Sequence, residues 1–323
     1  MSANQPPHSA AKDLIPPPTM TARYTNSEWA ARIKETEKSL SISKERHPVP
    51  RRPEDVAKFI DHTLLKLDAT GAQIDGLCAE ARNEGFKTVC VRLNFVARAV
   101  SNLRGSPVGV ACVIGFHEGT QDLTEKIKEA HAALSAGATE LDIVLNHPLL
   151  TLPSPSYEEI YVELASLRNL APSPVCLKLI LETSQLSPQQ ITAACVLASA
   201  ARFDFVKTST GFNGRGASEE DVRRMSSAAA LLAANERDGA GEGGAARMQV
   251  KASGGIRGWE DCRRMLECGA TRIGTSSGVW IMRELREREK DAEKGGGWLV
   301  GRGRELRGCI LMRRLGVLRW RVV

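Results

Sequence analysis

Residues 175–208, VCLKLILETSQLSPQQITAACVLASAARFDFVKT, contain one complete strand–helix–strand unit. The apolar run Val175–Leu181 predicts a buried strand. Ser187 and Gln190 form an N-terminal capping box with a proline at the first helical position, and the apolar residues after it recur at helical spacing. The run Phe203–Thr208 predicts a second strand. Because a helix joins them, the two strands are expected to lie parallel in one sheet.

The same alternation of apolar runs and amphipathic stretches continues along the chain from Val56. The eight predicted strands are Ala57–Leu65, Thr88–Leu93, Gly109–Phe116, Glu140–Leu145, Val175–Leu181, Phe203–Thr208, Met248–Ser253 and Thr271–Thr275. Eight strands, each followed by helical sequence, predict an α/β fold of the (β/α)8 or TIM-barrel type. The competing fold is an open doubly wound sheet, which usually has a glycine fingerprint after its first strand. Here Leu67-Asp-Ala-Thr70 follows that strand, so the barrel is favoured.

Residues 1–53 are expected to be an extension of a barrel that spans 54–282. The first 22 residues are rich in Pro, Ser and Ala, which predicts disorder. A capping box from Thr25 to Glu28 then begins a helix whose apolar face is expected to dock on the barrel. That face contains Trp29, Ile33 and Leu40. Within the barrel, the glycine-rich segment 236–247 is interpreted as a flexible insertion before the seventh strand.

The net charge of +6 for the 323 residues is confined to one end of the chain. Residues 1–282 contain 32 basic and 32 acidic residues, whereas residues 283–323 contain 12 and 6. This Arg- and Gly-rich tail is expected to be disordered or to arise from an incorrect exon boundary. A basic tail can bind RNA or anionic lipid, but it is more often solvated. Because the rest of the chain is neutral, a nucleic-acid partner is not expected.

The eight cysteines form no CxxC pair and none lies at zinc-ligand spacing from a histidine. This pattern favours free thiols in a reducing compartment and predicts no structural metal. The chain has neither a secretory signal pattern nor a continuous apolar run of membrane-spanning length. A cytoplasmic protein without a membrane partner is therefore expected.

Two lysines at the ends of predicted strands are the main candidates for chemistry. Lys207 ends the sixth strand and Lys251 lies in the seventh, so their side chains can face each other. Burial and a second ammonium group lower a lysine pKa, and a neutral amine forms Schiff bases with carbonyls. In the fourth strand, the period of two places Glu140 and Asp142 on one face, near both lysines. Each of these groups could equally belong to a structural salt bridge.

Three turns rich in glycine and hydroxyl groups follow the last three strands. They are Thr208–Phe212, Ser253–Arg257 and Gly274–Gly278. Backbone N–H groups and hydroxyls in such turns bind anions, so together they predict a phosphate site. No Walker A sequence is present, which disfavours a nucleoside triphosphate. The histidines show no metal-binding pattern and are interpreted mainly as structural, and His62, beside Asp61, is the one that could touch the site.

Eight segments resemble those of the deoxyribose-phosphate aldolases. They are Ile60–Lys66, Val89–Val91, Val113–Phe116, Gly137–Val144, Lys178–Thr183, Asp204–Phe212, Val250–Arg257 and Gly269–Gly278. The resemblance covers residues 54–282 and implies a class I aldolase on a TIM barrel. Such an enzyme reversibly cleaves 2-deoxy-D-ribose 5-phosphate to D-glyceraldehyde 3-phosphate and acetaldehyde, in deoxyribose phosphate catabolism.

By position, the resemblance also implies roles for individual residues. Lys207 matches the Schiff-base lysine, and Lys251 matches the lysine that lowers the pKa of the first. Asp142 matches the carboxylate that relays protons, and Asp61 matches a supporting acid. The residues that match the phosphate-binding turns are Thr210, Gly211, Gly254, Gly255, Gly274, Ser276 and Ser277. The chemistry needs no cofactor or metal ion, and a homo-oligomer, either a dimer or a tetramer, is expected.

The sequence departs from the family pattern in several places. His117 stands where family members usually have proline, and residues 146–148 and 153–155 differ from the usual entry to the fourth helix. An insertion lies at 239–244, and residues 283–323 do not resemble the family's C-terminal end. Two other functions therefore remain open at this point. One is a lysine-dependent aldolase or transaldolase for another phosphorylated sugar. The other is a non-catalytic barrel with an RNA-binding tail.

Overall fold

The computed structural model describes residues 23–239 and 248–296. Its eight strands are parallel and close into a barrel in chain order, with the last strand paired to the first. The strands are β1 Ile60–Thr63, β2 Thr88–Val91, β3 Gly109–Ile114, β4 Glu140–Val144, β5 Cys176–Ile180, β6 Phe205–Lys207, β7 Gln249–Ser253 and β8 Arg272–Thr275. The predicted TIM barrel is confirmed, and an open doubly wound sheet is excluded.

Helices surround this barrel in the described part of the chain. They are α1 Asn26–Ser39, α2 Pro53–Ala57, α3 Gly71–Glu84, α4 Leu93–Asn102, α5 Leu123–Ser135, α6 Pro148–Thr151, α7 Tyr157–Leu170, α8 Pro188–Ala200, α9 Glu219–Gly239, α10 Trp259–Glu267 and α11 Gly278–Gly296. A short 3-10 helix, Thr183–Gln185, follows β5. The predicted first strand was too long at its start, since Ala57 ends α2. Proline at the first turn and acidic residues beside it favour a helix there.

The two faces of the strands have different surroundings. Outward-facing residues such as Val89, Leu141 and Val206 are fully buried in one apolar cluster with the surrounding helices. The inner face contains a small apolar cluster around Cys90 and Val113, against which Phe116 packs. Buried Val144, Ile180 and Phe205 also lie on this face, and the charged side chains among them form the site described below.

The N-terminal helix α1 packs against α7, α8 and α9, as its apolar face predicted. Its Thr25–Glu28 capping box is present. Trp29 is fully buried, and its ring centroid lies 5.0 Å from those of Tyr24 and Tyr161. This aromatic contact anchors the helix on the outside of the barrel.

Two of the segments predicted to be irregular begin as helix. Helix α9 continues to Gly239, so the 236–247 segment starts inside it, and α11 continues to Gly296, past residue 282. The chain divides into two compact units after Leu285, and of the second unit only residues 286–296, the end of α11, are described. The disorder expected for residues 1–22, 240–247 and 297–323 concerns parts of the chain outside the described residues. No helix in the described ranges is long and apolar enough to cross a membrane.

Candidate active site

The strand register places the two candidate lysines side by side inside the barrel. Lys207 on β6 pairs with Lys251 on β7, and Ile180 on β5 pairs with Lys207 on its other side. Lys251 is fully buried and Lys207 is 2% exposed. Both side chains therefore lie in the interior at the level where β6 ends, toward the carboxyl face of the barrel.

Asp142 joins the two lysines. Its Oδ2 accepts hydrogen bonds from Lys207 Nζ and from Lys251 Nζ, each at 2.8 Å. Asp61, from β1, lies behind Lys251, whose Nζ donates to Asp61 Oδ2 at 2.5 Å. Both carboxylates are fully buried. The four residues proposed from the sequence for catalysis thus form one connected cluster.

Electrostatics separate the two lysines. Burial lowers the pKa of Lys207, the positive charge of Lys251 lowers it further, and Asp142 only partly compensates. Burial acts on Lys251 in the same direction, but Asp142 and Asp61 outweigh it and raise the pKa of Lys251. Lys207 is therefore the lysine that loses its proton more readily, and a neutral amine is the form that attacks a carbonyl.

Three further charged residues belong to this cluster: Lys178 and Arg272, which the sequence did not point to, and Glu140, which it placed on the face of Asp142 without a role. Lys178 Nζ donates to Asp142 Oδ1 at 2.6 Å and lies 2.5 Å from Glu140 Oε2. Arg272 Nη1 donates to Asp61 Oδ1 at 2.8 Å and to Glu140 Oε2 at 3.0 Å. Lys178 could have been found in the sequence, since it interrupts an apolar strand in the same way as Lys207.

Counted together, the cluster contains four basic side chains and three carboxylates. The basic residues are Lys178, Lys207, Lys251 and Arg272, and the acidic ones are Asp61, Glu140 and Asp142. A buried cluster is most stable when its charges balance. Loss of one proton from a lysine makes these seven groups neutral as a set. The pKa of Lys207 is lowered, whereas those of Lys178 and Lys251 are raised, so Lys207 is the one that gives up that proton.

The glycine turns after β6 and β7 meet at the mouth of the barrel. Gly211 and Gly254 both have a φ of 85°, in the left-handed region that favours glycine. A Cβ added at Gly254 would lie 2.9 Å from Gly216 Cα and 3.5 Å from Gly211 Cα. Gly255 continues the same turn with a φ of 78°. Backbone N–H groups of two neighbouring turns are thus available at one place.

The third turn, which begins with Gly274 on β8, lies beside the turn after β7. Gly274 pairs with Ser253 across β7 and β8, and a Cβ there would lie 2.1 Å from Ser253 Oγ and 3.0 Å from Lys251 Cε. Only glycine leaves room for these side chains. Ser276 is exposed and Ser277 half-buried at the start of α11, where Ser277 N–H donates to the Thr275 hydroxyl at 2.9 Å.

Two positions that the sequence pointed to have other partners in the structure. The Thr210 hydroxyl donates its hydrogen to Glu182 and accepts from Phe212 N–H, so that hydrogen is not available to a bound phosphate. His62 faces away from the lysines, because neighbouring residues of a strand point to opposite faces. Its Nε2 lies 2.7 Å from Glu80 Oε2, and its ring packs on Phe86 at 5.1 Å between centroids. His62 therefore does not take part in the lysine cluster.

Aromatic rings line part of the barrel mouth. The Phe212 ring stacks on that of His117, with centroids 5.2 Å apart and an interplanar angle of 15°. Phe116 meets Phe212 edge to face at 5.1 Å. Phe212 is 45% exposed, so the turn that contains Gly211 has an apolar side facing solvent.

The model of the DeoC/LacD family of aldolases matches residues 56–288. The chain belongs to this aldolase family. A curated deoxyribose-phosphate aldolase from Coccidioides immitis is 47% identical over 267 residues, which are 81% of this chain and 92% of that protein. Another from Caldanaerobacter subterraneus subsp. tengcongensis is 41% identical over 72% of this chain and 94% of its own.

Solved structures agree with this assignment. A structure from Coccidioides immitis has a TM-score of 0.74 at 46% identity and covers 82% of this chain and 100% of its own. A tetrameric deoxyribose phosphate aldolase from Aeropyrum pernix has a TM-score of 0.64 at 31% identity and covers 80% of this chain and 99% of its own. The aldolase family, the lyase class and the barrel predicted from the sequence are thereby confirmed.

Proposed function

We propose that this aldolase cleaves 2-deoxy-D-ribose 5-phosphate reversibly to D-glyceraldehyde 3-phosphate and acetaldehyde, through a Schiff base on Lys207. The observation that carries the proposal is the position of Lys207 in the buried cluster. It is the lysine whose pKa is lowered, and it lies beside a second, charged lysine and a shared carboxylate. The names of the curated relatives support the choice of substrate.

In the cleavage direction, the neutral amine of Lys207 adds to the C1 carbonyl of the open-chain sugar. The carbinolamine loses its hydroxyl as water and becomes a protonated imine. A base removes the proton of the C3 hydroxyl, the C2–C3 bond breaks, and its electrons move into the imine to give an enamine. Glyceraldehyde 3-phosphate then leaves. Protonation of the enamine carbon and hydrolysis release acetaldehyde and restore the amine.

Asp142 and Lys251 are proposed to manage the protons of these steps. Asp142 Oδ2 accepts from both lysines, so a proton released near Lys207 has a short path toward Lys251. Asp61 shares Lys251 and favours its charged form. A charged Lys251 keeps Lys207 neutral, and Asp142 relays protons to and from substrate through water.

The glycine turns are proposed to hold the 5-phosphate. The residues proposed for this are Gly211, Gly254, Gly255, Gly274, Ser276 and Ser277, with Thr210 supporting the first turn. Backbone N–H groups and the N-terminus of α11 favour an anion without a buried lysine or arginine at that place. The phosphate end of the substrate would thus lie at the mouth and its carbonyl end at Lys207.

Reductive trapping tests the proposal directly. Borohydride added with acetaldehyde is expected to leave a stable ethyl adduct on Lys207, located by peptide mass mapping, and Lys207→Ala is expected to abolish both the adduct and cleavage of deoxyribose 5-phosphate. Lys207→Met is the matched control, because it is also uncharged and of similar length but has no nucleophilic amine, and it is expected to form no adduct while remaining folded. An adduct on another lysine in wild-type enzyme would contradict the mechanism.

An oligomeric state and a location in the cell are proposed together with the function. A homo-oligomer, either a dimer or a tetramer, is supported by the tetrameric relative from Aeropyrum pernix, and sedimentation of the purified protein would measure it. A cytoplasmic location is supported by the cysteines in the described ranges, which are free thiols. Cell fractionation tests that location.

A further inference from the structure

Glu182 lies directly after β5, at the carboxyl face of the barrel. The residues on both sides of it still pair with β6: Leu181 N–H donates to Lys207 O and Thr183 N–H to Thr208 O, both at 2.9 Å. The period of two along the strand places Glu182 on the inner face, beyond Lys178. Its side chain is fully buried. A carboxylate at this depth must have a partner or a function.

The backbone of Glu182 is in an unfavourable conformation. Its φ of 56° and ψ of 60° lie in the left-handed region. For a residue with a Cβ this conformation costs about 1–2 kcal/mol. Such strain persists where the surroundings hold the residue in place, and it often occurs at functional sites. Glycine would adopt this conformation without strain. The presence of a glutamate therefore indicates that its carboxylate has a role that glycine could not fill.

The Glu182 carboxylate holds the turn after β6. Its Oε2 accepts from Thr210 N–H at 3.2 Å and also from the Thr210 hydroxyl. The same hydroxyl accepts from Phe212 N–H at 3.1 Å. The hydrogen bonds thus run from Glu182 through Thr210 to Phe212 and enclose Gly211. The second oxygen, Oε1, is buried without a hydrogen-bond partner among the described residues.

We propose that Glu182 is a positioning residue for the phosphate-binding turn 210–212, and that it thereby sets the preference of the enzyme for a phosphorylated over an unphosphorylated sugar. The inference rests on the proposed function, since it assigns the 5-phosphate to this turn. Without the carboxylate, Thr210 N–H and its hydroxyl lose their acceptor. The N–H groups around Gly211 would then no longer be held in the orientation that receives an anion.

The ionised form of Glu182 is the one that does this. The carboxylate is a stronger acceptor for the two hydrogen bonds from Thr210 than the neutral acid, whose proton would lie on the unpaired Oε1. The ionisable side chains that face it are Lys207 on β6 and His117 after β3, and His117 Nδ1 lies 2.8 Å from Glu118. Burial raises the pKa of Glu182, and the hydrogen bonds from Thr210 only partly oppose this. Acid therefore releases the turn at a higher pH than an exposed glutamate would.

Two variants separate this role from a general effect on folding. Glu182→Gly removes the carboxylate but adopts the left-handed backbone without strain. Glu182→Gln keeps the shape and an acceptor oxygen but does not titrate. The measurement is kcat/KM, across pH, for 2-deoxy-D-ribose 5-phosphate and for 2-deoxy-D-ribose, with thermal melting as the check on folding. His117→Phe keeps a ring that can stack on Phe212 and removes the histidine side chain beside the turn.

Glu182→Gly is expected to lower the ratio of kcat/KM for the phosphate ester to that for the sugar, on the order of tenfold, because hydrogen bonds to a charged group are lost. In wild type and in His117→Phe the KM for the phosphate ester rises on the acid side, and in Glu182→Gln that rise is smaller, because the contribution of Glu182 is lost and that of the substrate phosphate remains. Equal losses for both sugars, or an unchanged ratio in a folded Glu182→Gly enzyme, would overturn the role of Glu182 alone. Wild-type enzyme that does not cleave the phosphate ester would overturn the proposed function and this inference with it.

Discussion

Lys207 and Lys251 have the same side chain and lie opposite each other, yet their pKa values shift in opposite directions. The difference comes from the number of carboxylates around each amine. Within the described residues, Lys207 has one carboxylate at ion-pair distance, Asp142, whereas Lys251 has both Asp142 and Asp61. Two anions outweigh the cost of burial and one does not. A single aspartate on β1 thus decides which lysine stays charged.

At the scale of single residues, Lys251→Leu is expected to raise the pKa of Lys207. The variant removes a positive charge that lowers it and leaves Asp142, which favours the charged form. Less Lys207 is then neutral near pH 7, so kcat/KM falls at least tenfold and its pH profile moves to higher pH. The pH dependence of kcat/KM measures this.

Lys251→Arg is the control, because it retains the charge although its shape differs. It is expected to keep a profile closer to that of wild type. A Lys251→Leu enzyme with an unchanged pH profile would contradict the electrostatic role given to Lys251.

At the scale of elements, local sequence determines where several helices begin. In α8 the Ser187 hydroxyl accepts from Gln190 N–H at 3.3 Å, and the Gln190 side chain accepts from Ser187 N–H at 2.7 Å. This reciprocal pair involves residues three apart and needs no tertiary contact. For that reason the capping boxes of α1 and α8 were predictable from the sequence, and both are confirmed.

Ser187→Ala is expected to lower the free energy of unfolding by about 1 kcal/mol, because the N-cap acceptor is lost. Urea denaturation followed by circular dichroism measures the change. Gln189→Ala, at an exposed position of the same helical turn, should stay within about 0.5 kcal/mol of wild type. Equal effects of the two substitutions would argue against the capping contribution.

The glycine turns make a second prediction about elements. Gly254→Ala would place a methyl group 2.9 Å from the backbone of Gly216, in a turn that also has a positive φ. It is expected to displace the turn, raise the KM for the phosphate substrate, and lower stability. Steady-state kinetics and thermal melting measure the two effects.

Gly85→Ala is the matched control for that experiment. Gly85 ends α3 with a φ of 71° and has nothing within 4 Å of an added Cβ. It should cost about 1 kcal/mol of stability, from the backbone conformation alone, and leave KM unchanged. If Gly254→Ala also left KM unchanged, the turn would not contact the substrate.

For the whole molecule, the buried cluster links stability to pH. Burial alone would raise the pKa of Asp61, but Lys251, Arg272 and Lys178 outweigh it and lower the pKa. The pKa of Asp142 is lowered well below its ordinary value, because three lysines outweigh burial there too. Both groups therefore contribute stability that is fully present above the ordinary value of 3.8 and is lost as the pH falls below it.

The free energy of unfolding is accordingly expected to fall below pH 3.8 by about 1.4 kcal/mol per pH unit for each of the two groups. Glu163 and Glu182 have raised pKa values, so they lower the stability as the pH rises above 4.5. That pH range is separate from the one below 3.8. Urea unfolding at a series of pH values measures the slope. Asp68→Asn, at an exposed position, should leave it unchanged. A flat profile below pH 3.8 would contradict the electrostatic account.

Much of the fold was predictable from local patterns, and the misses have physical causes. All eight strands are present where the apolar runs predicted them, because a strand buried on both sides needs such a run. The start of the first strand was wrong, since Pro53 and the acidic residues after it favour the helix α2, which includes Ala57. His62 follows Asp61 but lies outside the cluster, as expected for a mainly structural histidine, because a strand turns neighbouring residues to opposite faces.

The sequence by itself determined the alternation of strands and helices, the capping boxes and the two lysines at strand ends, because each depends on residues close together in the chain. Only the tertiary structure decided how the interior charges are shared. Lys178, Glu140 and Arg272 come from three different strands, and Glu182 reaches the turn after β6 from the end of β5. Closure of the barrel brings these groups within hydrogen-bond distance, and Coulomb interactions in a buried interior depend on those distances rather than on sequence spacing. The identity of the neutral lysine is therefore a property of the closed barrel.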